Sequence, residues 1–176
     1  MVVTEAVAGQ AGRMWLSADG DTRRQVPDDP AFFSEPIAAV AANPQGQLLA
    51  VGLTGRVAWS SPDGVSWARL DLPNLFPEWD EFSPPGLAAT PSGWVLVSAS
   101  EVDGGSKPMA WYSPDGTSWE PSEVVPDDTE GAMLAVAAVP QGLVAVGIGG
   151  IWVSDDGRAW ELAPVSAEVP FFGGPM

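Results

Sequence analysis

The 176-residue chain has no cysteine and no histidine. It therefore cannot build a zinc site of the usual kinds, and it has no thiol nucleophile, imidazole base or Ser-His-Asp relay. Without cysteine the redox compartment is not legible. Cations are scarce: Lys+Arg is 7 against an Asp+Glu of 23, a formal charge of -16. Nucleic acid and anionic membrane surfaces are poor partners for such a chain, because both need clustered Lys and Arg. No apolar run reaches the length of a membrane span, and the start, Met1 to Glu5, has no basic segment of the kind that opens a secretory signal. The localisation is not set by these features; an extracellular or virion surface is compatible with them.

What is present is turn chemistry and apolar mass. Gly 20 and Pro 18 make up more than a fifth of the chain, while 45% of residues are hydrophobic and 17% charged. A packed core is within reach, and the punctuation is that of many short strands rather than helices.

The tryptophans are periodic. Trp59-Ser-Ser61-Pro-Asp63-Gly-Val-Ser-Trp67 returns as Trp111-Tyr-Ser113-Pro-Asp115-Gly-Thr-Ser-Trp119 and as Trp152-Val-Ser154-Asp-Asp156-Gly-Arg-Ala-Trp160. A decayed copy, Trp15-Leu-Ser17-Ala-Asp19-Gly20, carries Arg23 at the second Trp position. Before each full copy comes an Ala-rich run, a Pro/Gly turn and an apolar run: Ile37 to Gly52, Leu87 to Ser98 and Leu134 to Gly147. Asp-Gly between two such runs is a strong hairpin signal, since Gly supplies the backbone the turn needs and the carboxylate can tie nearby N–H groups. Each period thus reads as four antiparallel strands with an indole on the third and another at the start of the fourth. Repetition of that unit predicts an all-β fold, a β-propeller of about four four-stranded blades whose first blade lacks its inner strand. The repeats are approximately 1–28 (partial), 29–77, 78–127 and 128–167, with a tail at 168–176, all in a single propeller domain, 1–176. Fifteen strands are expected. Glu101 to Pro108 reads as a long loop inserted between the second and third strands of its repeat.

At these residues the sequence resembles the Asp-box (bacterial neuraminidase) repeats of sialidase-like β-propellers. The family pattern is Ser-x-Asp-x-Gly-x-Thr/Ser-Trp, and each copy here is one residue shorter. The resemblance implies a structural role for Ser17, Asp19, Ser61, Asp63, Trp67, Ser113, Asp115, Trp119, Ser154, Asp156 and Trp160, on the face away from any active site. A sialidase would also need an Arg cluster, a Tyr nucleophile activated by Glu, and an Asp acid. The single tyrosine, Tyr112, fills a strand slot that holds Leu16, Ser60 and Val153 in the other repeats. Arg13 and Arg56 precede third strands, Arg23, Arg24 and Arg69 fall on fourth strands, and Arg158 sits inside a turn. None lies beside an inner strand, so the chain reads as a non-enzyme with no catalytic residue, metal or cofactor.

The connections between repeats hold the acids Asp28, Asp29 and Glu35; Glu78, Asp80 and Glu81; and Asp127, Asp128 and Glu130, with Trp79 among them. Equivalent loops of a propeller emerge on one face, so these residues form the candidate partner-binding surface. The leading expectation is a non-catalytic module that binds a protein partner there. The alternatives are a carbohydrate-binding, lectin-like propeller on a phage particle or cell surface, and a divergent glycoside hydrolase. The repeat count leaves an open blade end. A fragment of a longer propeller, a ring closed by its tail, and a homo-oligomer or larger assembly joined through open ends would each account for it.

Overall fold

The computed structural model describes residues 2–5, 13–17, 19–26, 35–73, 84–102, 104–126 and 129–164, with the side chains at 2–5, 13 and 102 excepted. All regular structure among them is strand. A three-stranded sheet is ordered β1 (Val2–Glu5), β2 (Arg13–Leu16), β3 (Arg24–Gln25). A four-stranded sheet follows, ordered β4 (Ile37–Ala42), β5 (Leu48–Gly52), β6 (Val57–Ser61), β7 (Ala68–Asp71). The next is a second four-stranded sheet, β8 (Gly86–Thr90), β9 (Gly93–Val102), β10 (Gly105–Ser113), β11 (Glu120–Pro121). The last has five strands, β13 (Ala132–Val139), β14 (Gly142–Ile148), β15 (Ile151–Ser154), β16 (Ala159–Leu162) and then β12 (Glu123–Val125).

These are the blades of a β-propeller, and the ring is not closed. The first strands of successive blades are neighbours, β4 beside β8 and β8 beside β13. Small side chains allow that approach: β4 reads Ile-Ala-Ala-Val-Ala-Ala and β8 reads Gly-Leu-Ala-Ala-Thr. The first sheet has three strands, as the repeat pattern predicts.

Two expectations are corrected. The segment from Glu101 to Pro108 is not a long loop. It extends the β9–β10 hairpin, with Glu101 opposite Ser106 and Ser100 opposite Lys107. Sixteen strands are present among the described residues rather than fifteen. The additional one is β12, which leaves the third blade after Pro121 and pairs parallel with β16 of the fourth, Val124 opposite Trp160. The outer edge of β16 is thereby paired with chain from the blade before it, and β12, three residues long, becomes the edge strand of that sheet.

The core lies between blades. In the second, third and fourth blades the third-strand Trp points toward the preceding one. Trp59 joins Met14 and Val26 of the first sheet, and Trp111 joins Leu49, Val51 and Ala58 of the second. Trp152 and Trp160 join Val95, Val97, Ala110 and Tyr112 of the third. Trp59, Trp152 and Trp160 are wholly buried. Each such indole withdraws roughly 200 Å² from water, a gross gain on the order of 5 kcal/mol. The periodic tryptophans are thus the junction residues of the array.

Candidate functional site

Two groups of polar residues are candidates for a functional site. The first is the set of turns between third and fourth strands. Asp63 Oδ1 accepts the backbone N–H groups of Val65 and Ser66, both at 2.8 Å, and the Ser61 hydroxyl at 3.2 Å. The Ser61 oxygen in turn accepts the Gly64 N–H at 2.8 Å. Asp115 repeats this with Thr117 and Ser118 at 2.7 and 2.8 Å, and Ser113 Oγ accepts from Gly116 at 2.8 Å. In the last blade Asp156 accepts from Arg158 at 2.8 Å, and Ser154 Oγ accepts from Gly157 at 2.8 Å. The decayed first copy closes in the same way: Asp19 takes the N–H groups of Asp21 and Thr22 at 3.0 and 2.8 Å and the Thr22 hydroxyl at 2.6 Å.

The turn backbone needs a positive φ after the Asp, and Gly64 has φ 75° there. The Gly64 carbonyl then receives Trp67 Nε1 at 3.0 Å. Trp119 and Trp160 do the same to Gly116 and Gly157 at 3.1 and 3.2 Å. Fourth-strand Trp residues therefore solve their buried N–H within their own turn. Trp152, on the third strand of the last blade, has no such turn carbonyl, and its Nε1 is buried with no partner.

Donation to a carboxylate stabilises its charged form. The Ser66 and Val65 N–H groups hold Asp63 below the usual carboxylate range, and those of Ser118 and Thr117 do so for Asp115. For Asp19 the Thr22 hydroxyl is the largest cause. Such carboxylates stay ionised and are poor general acids, and in Asp63 and Asp115 one oxygen, Oδ1, is engaged by the turn's own backbone.

The second group is the acids of the connections. Asp28, Asp29, Glu78, Trp79, Asp80, Glu81, Asp127 and Asp128 lie outside the described residues. Glu35 and Glu130 are within them and occupy equivalent places, two residues before β4 and two before β13. Their environments differ. Glu35 is partly buried; its Oε2 accepts the Thr54 N–H at 2.8 Å and its side chain covers Gly52, so it caps the end of its own blade. Glu130 is exposed, and the adjacent Gly131 N–H is bound to the Ser106 carbonyl of the β9–β10 hairpin at 2.8 Å. Among the described residues no three Asp or Glu side chains gather as a metal site would require.

A groove of about 220 Å³ runs between the second and third blades, lined by Leu48, Leu49, Ser60, Pro62, Trp94 and Asp115. Its one aromatic ring, Trp94, is only 5% exposed, so it offers no platform on which a sugar ring could stack.

Two contacts were not signalled by the sequence. Ser122 Oγ donates to the Gly157 carbonyl at 2.7 Å, tying the third blade to the fourth. Arg158, the variable residue of the last turn, lies over the Tyr112 ring at 3.7 Å from its centroid, while the Tyr112 hydroxyl donates to the Ser92 carbonyl at 2.6 Å. Tyr112 is thus a buried junction residue.

No protein-family model matches the chain, and no curated protein matches it. Solved structures do. A chain described as "YCF48 bound to D1 peptide" has a TM-score of 0.51 and 17% identity over 87% of this chain and 47% of that one. "YCF48 from Cyanidioschyzon merolae" has a TM-score of 0.51 and 14% identity over 92% of this chain and 58% of that one. At such identities the likeness is one of fold, that of a β-propeller. The chain spans about half the length of these neighbours.

Proposed function

We propose that the chain is a non-catalytic propeller module that binds a protein partner through its acidic connections. The observation that carries this reading is the division of labour among the acids. Those of the Asp-Gly turns tie their own backbone through Oδ1. The ones with no such structural motif around them in sequence are Asp28 and Asp29, Glu78 to Glu81, and Asp127 to Glu130. With a net charge of -16, the complementary partner is a basic protein surface, and Trp79 supplies an aromatic anchor within the acidic set. A propeller neighbour described as bound to a peptide supports protein binding as a use of this architecture. The turns themselves read best as a one-residue-shorter relative of the Asp-box.

The test is titration of the chain against a Lys/Arg-rich peptide and an acidic control peptide at low and high salt. Selective, salt-sensitive binding to the basic peptide is expected. The triple substitution Glu78→Gln, Asp80→Asn, Glu81→Gln should weaken it by about tenfold or more, as loss of several complementary charges does. Unchanged affinity in the triple variant would remove this face as the site. A glycan-array signal lost on Trp79→Ala would replace the reading with a lectin.

A further inference from the structure

We infer that the two open ends of the blade series bind each other between two copies of this chain, closing a ring of eight sheets. The inference is independent of what the acidic connections bind.

Each internal junction follows one recipe. A rear face, made by alternate residues of the second and third strands, meets a front face whose centre is the third-strand Trp. On the rear face the second-strand positions are Leu49 and Val51, then Val95 and Val97, all at most 1% exposed. Register and repeat place Val144 and Val146 at the same positions in the last blade, and Val146 is 44% exposed. The third-strand rear positions are Ala58 at 0%, Ala110 at 1% and Tyr112 at 3%. Their counterparts, Ile151 and Val153, are 44% and 40% exposed, and Ile148 beside them is 65% exposed. These aliphatics form one face of β14 and β15, with Val146 opposite Ile151 and Val144 opposite Val153. A contiguous branched-aliphatic face of this kind marks an association surface.

The other end lacks the matching half. Met14 and Leu16 of β2 point to the second blade, where they pack with Trp59. Strand alternation puts Trp15 on the opposite face, at the place held by Trp59, Trp111 and Trp152 in later blades. Those three are 0%, 4% and 0% exposed, whereas Trp15 is only partly buried. Among the described residues, therefore, one rear face and one front face meet no other blade, and they are of the kinds that already meet three times within the chain. The ring does not close on itself. Two copies about a twofold axis would match rear to front twice and leave neither face bare, and eight blades is within the range propellers adopt.

Light scattering on the full chain should give a single species of twice the 18.3 kDa chain mass. The double variant Val146→Lys, Ile151→Lys and the single variant Trp15→Glu should each run at one chain mass with an unchanged far-ultraviolet dichroism spectrum. Mixing the two variants should restore a dimer, because one intact junction remains. Covalent capture avoids any dependence on those variants folding. Ala58 and Trp111 share one internal junction, and Ala110 and Trp152 another. By equivalence Ile151 should meet Trp15 of the other copy. The chain has no cysteine. Mild oxidation of the double variant Trp15→Cys, Ile151→Cys should therefore give only intermolecular dimers. A wild-type monomer at every concentration, an open polymer, or a dimer that persists in Trp15→Glu and fails to cross-link would each overturn the inference; the last would mean pairing of rear face to rear face.

Discussion

Ser122 stands where the chain passes from one blade to the next: its N–H donates to the Ala110 carbonyl in the third blade at 2.8 Å, and its hydroxyl donates to the Gly157 carbonyl in the fourth at 2.7 Å. The next residue, Glu123, donates its N–H to Arg158 at 2.8 Å and begins β12. Ser122→Ala removes the inter-blade hydroxyl bond but leaves Gly157 its indole donor from Trp160. No buried acceptor is orphaned, so the cost should be about 1 kcal/mol, or a fall of roughly 2–4 °C in Tm for a domain of this size. Hydrogen exchange should be faster at Glu123 and Val125 than in wild type, with β9 and β10 unaffected. A variant with faster exchange throughout the third blade would show that the crossover is not a local clasp.

The tied carboxylates make a prediction about acid. Asp63 and Asp115 have folded pKa values below the unfolded value of about 3.9, so their contribution to stability is present above about pH 4 and is lost as the pH falls below it. A second effect has the opposite sign. At a net charge of -16, protonating untied acids relieves self-repulsion and stabilises the fold as the pH falls. Comparison with a variant separates the two. Between about pH 6 and pH 3, Tm should fall more steeply for wild type than for the double variant Asp63→Asn, Asp115→Asn, which should be the less stable protein at neutral pH. Parallel curves would mean that the turn carboxylates carry no net charge-dependent stability.

The repeat was legible because its signals are local. An Asp-Gly pair flanked by tryptophans at fixed spacing specifies a hairpin without reference to the rest of the chain, and three such copies with a decayed fourth specify blades. The crossover at Ser122 had no such signal: Glu123-Val-Val125 finds its parallel partner in residues 159–161, and nothing in either segment announces the other. The β9–β10 extension is hidden because Gly104-Gly105 has the look of an irregular break, whereas pairing resumes at once with Gly105 opposite Val102. The bare face of the last blade was equally hidden. Val144 and Val146 stand in the same apolar run as Leu49 and Val51 do in their repeat, and sequence pattern does not say whether the next blade is there. Of the candidate binding face, Glu35 proved to be a cap on Thr54, a role that depends on a contact nineteen residues away.

Turn glycines should differ sharply in their tolerance of a methyl group. Gly46 has φ 83° and open space around its Cβ direction. Gly46→Ala therefore costs only the backbone penalty of a left-handed residue, about 1 kcal/mol. Gly157 has φ 88° and would place its Cβ 2.3 Å from Val95 Cγ2 and 3.3 Å from Leu143 Cδ1, inside the junction of the third and fourth blades. Gly157→Ala adds overpacking of about 1–3 kcal/mol to the same penalty. Urea denaturation should rank the two variants in that order by at least about 1 kcal/mol. Equal costs would mean that the junction yields without resistance and is not tightly packed.

Arg158 over Tyr112 predicts a selective change in accessibility. The guanidinium lies 3.7 Å from the ring centroid and covers a residue that is itself 3% exposed. A cation over an aromatic face contributes about 0.5–1 kcal/mol at a site open to solvent on one side. Arg158→Ala should therefore lower stability modestly while uncovering the ring. Because the chain has a single tyrosine, the 3-nitrotyrosine formed by tetranitromethane reports on Tyr112 alone. Nitration should be slow in wild type and several-fold faster in Arg158→Ala at a temperature where both remain folded. Arg158→Lys should fall between them, since an ammonium restores the charge but not the planar cover. Equal nitration rates in all three proteins would mean that the hydroxyl bond to Ser92, rather than the arginine, limits access to the ring.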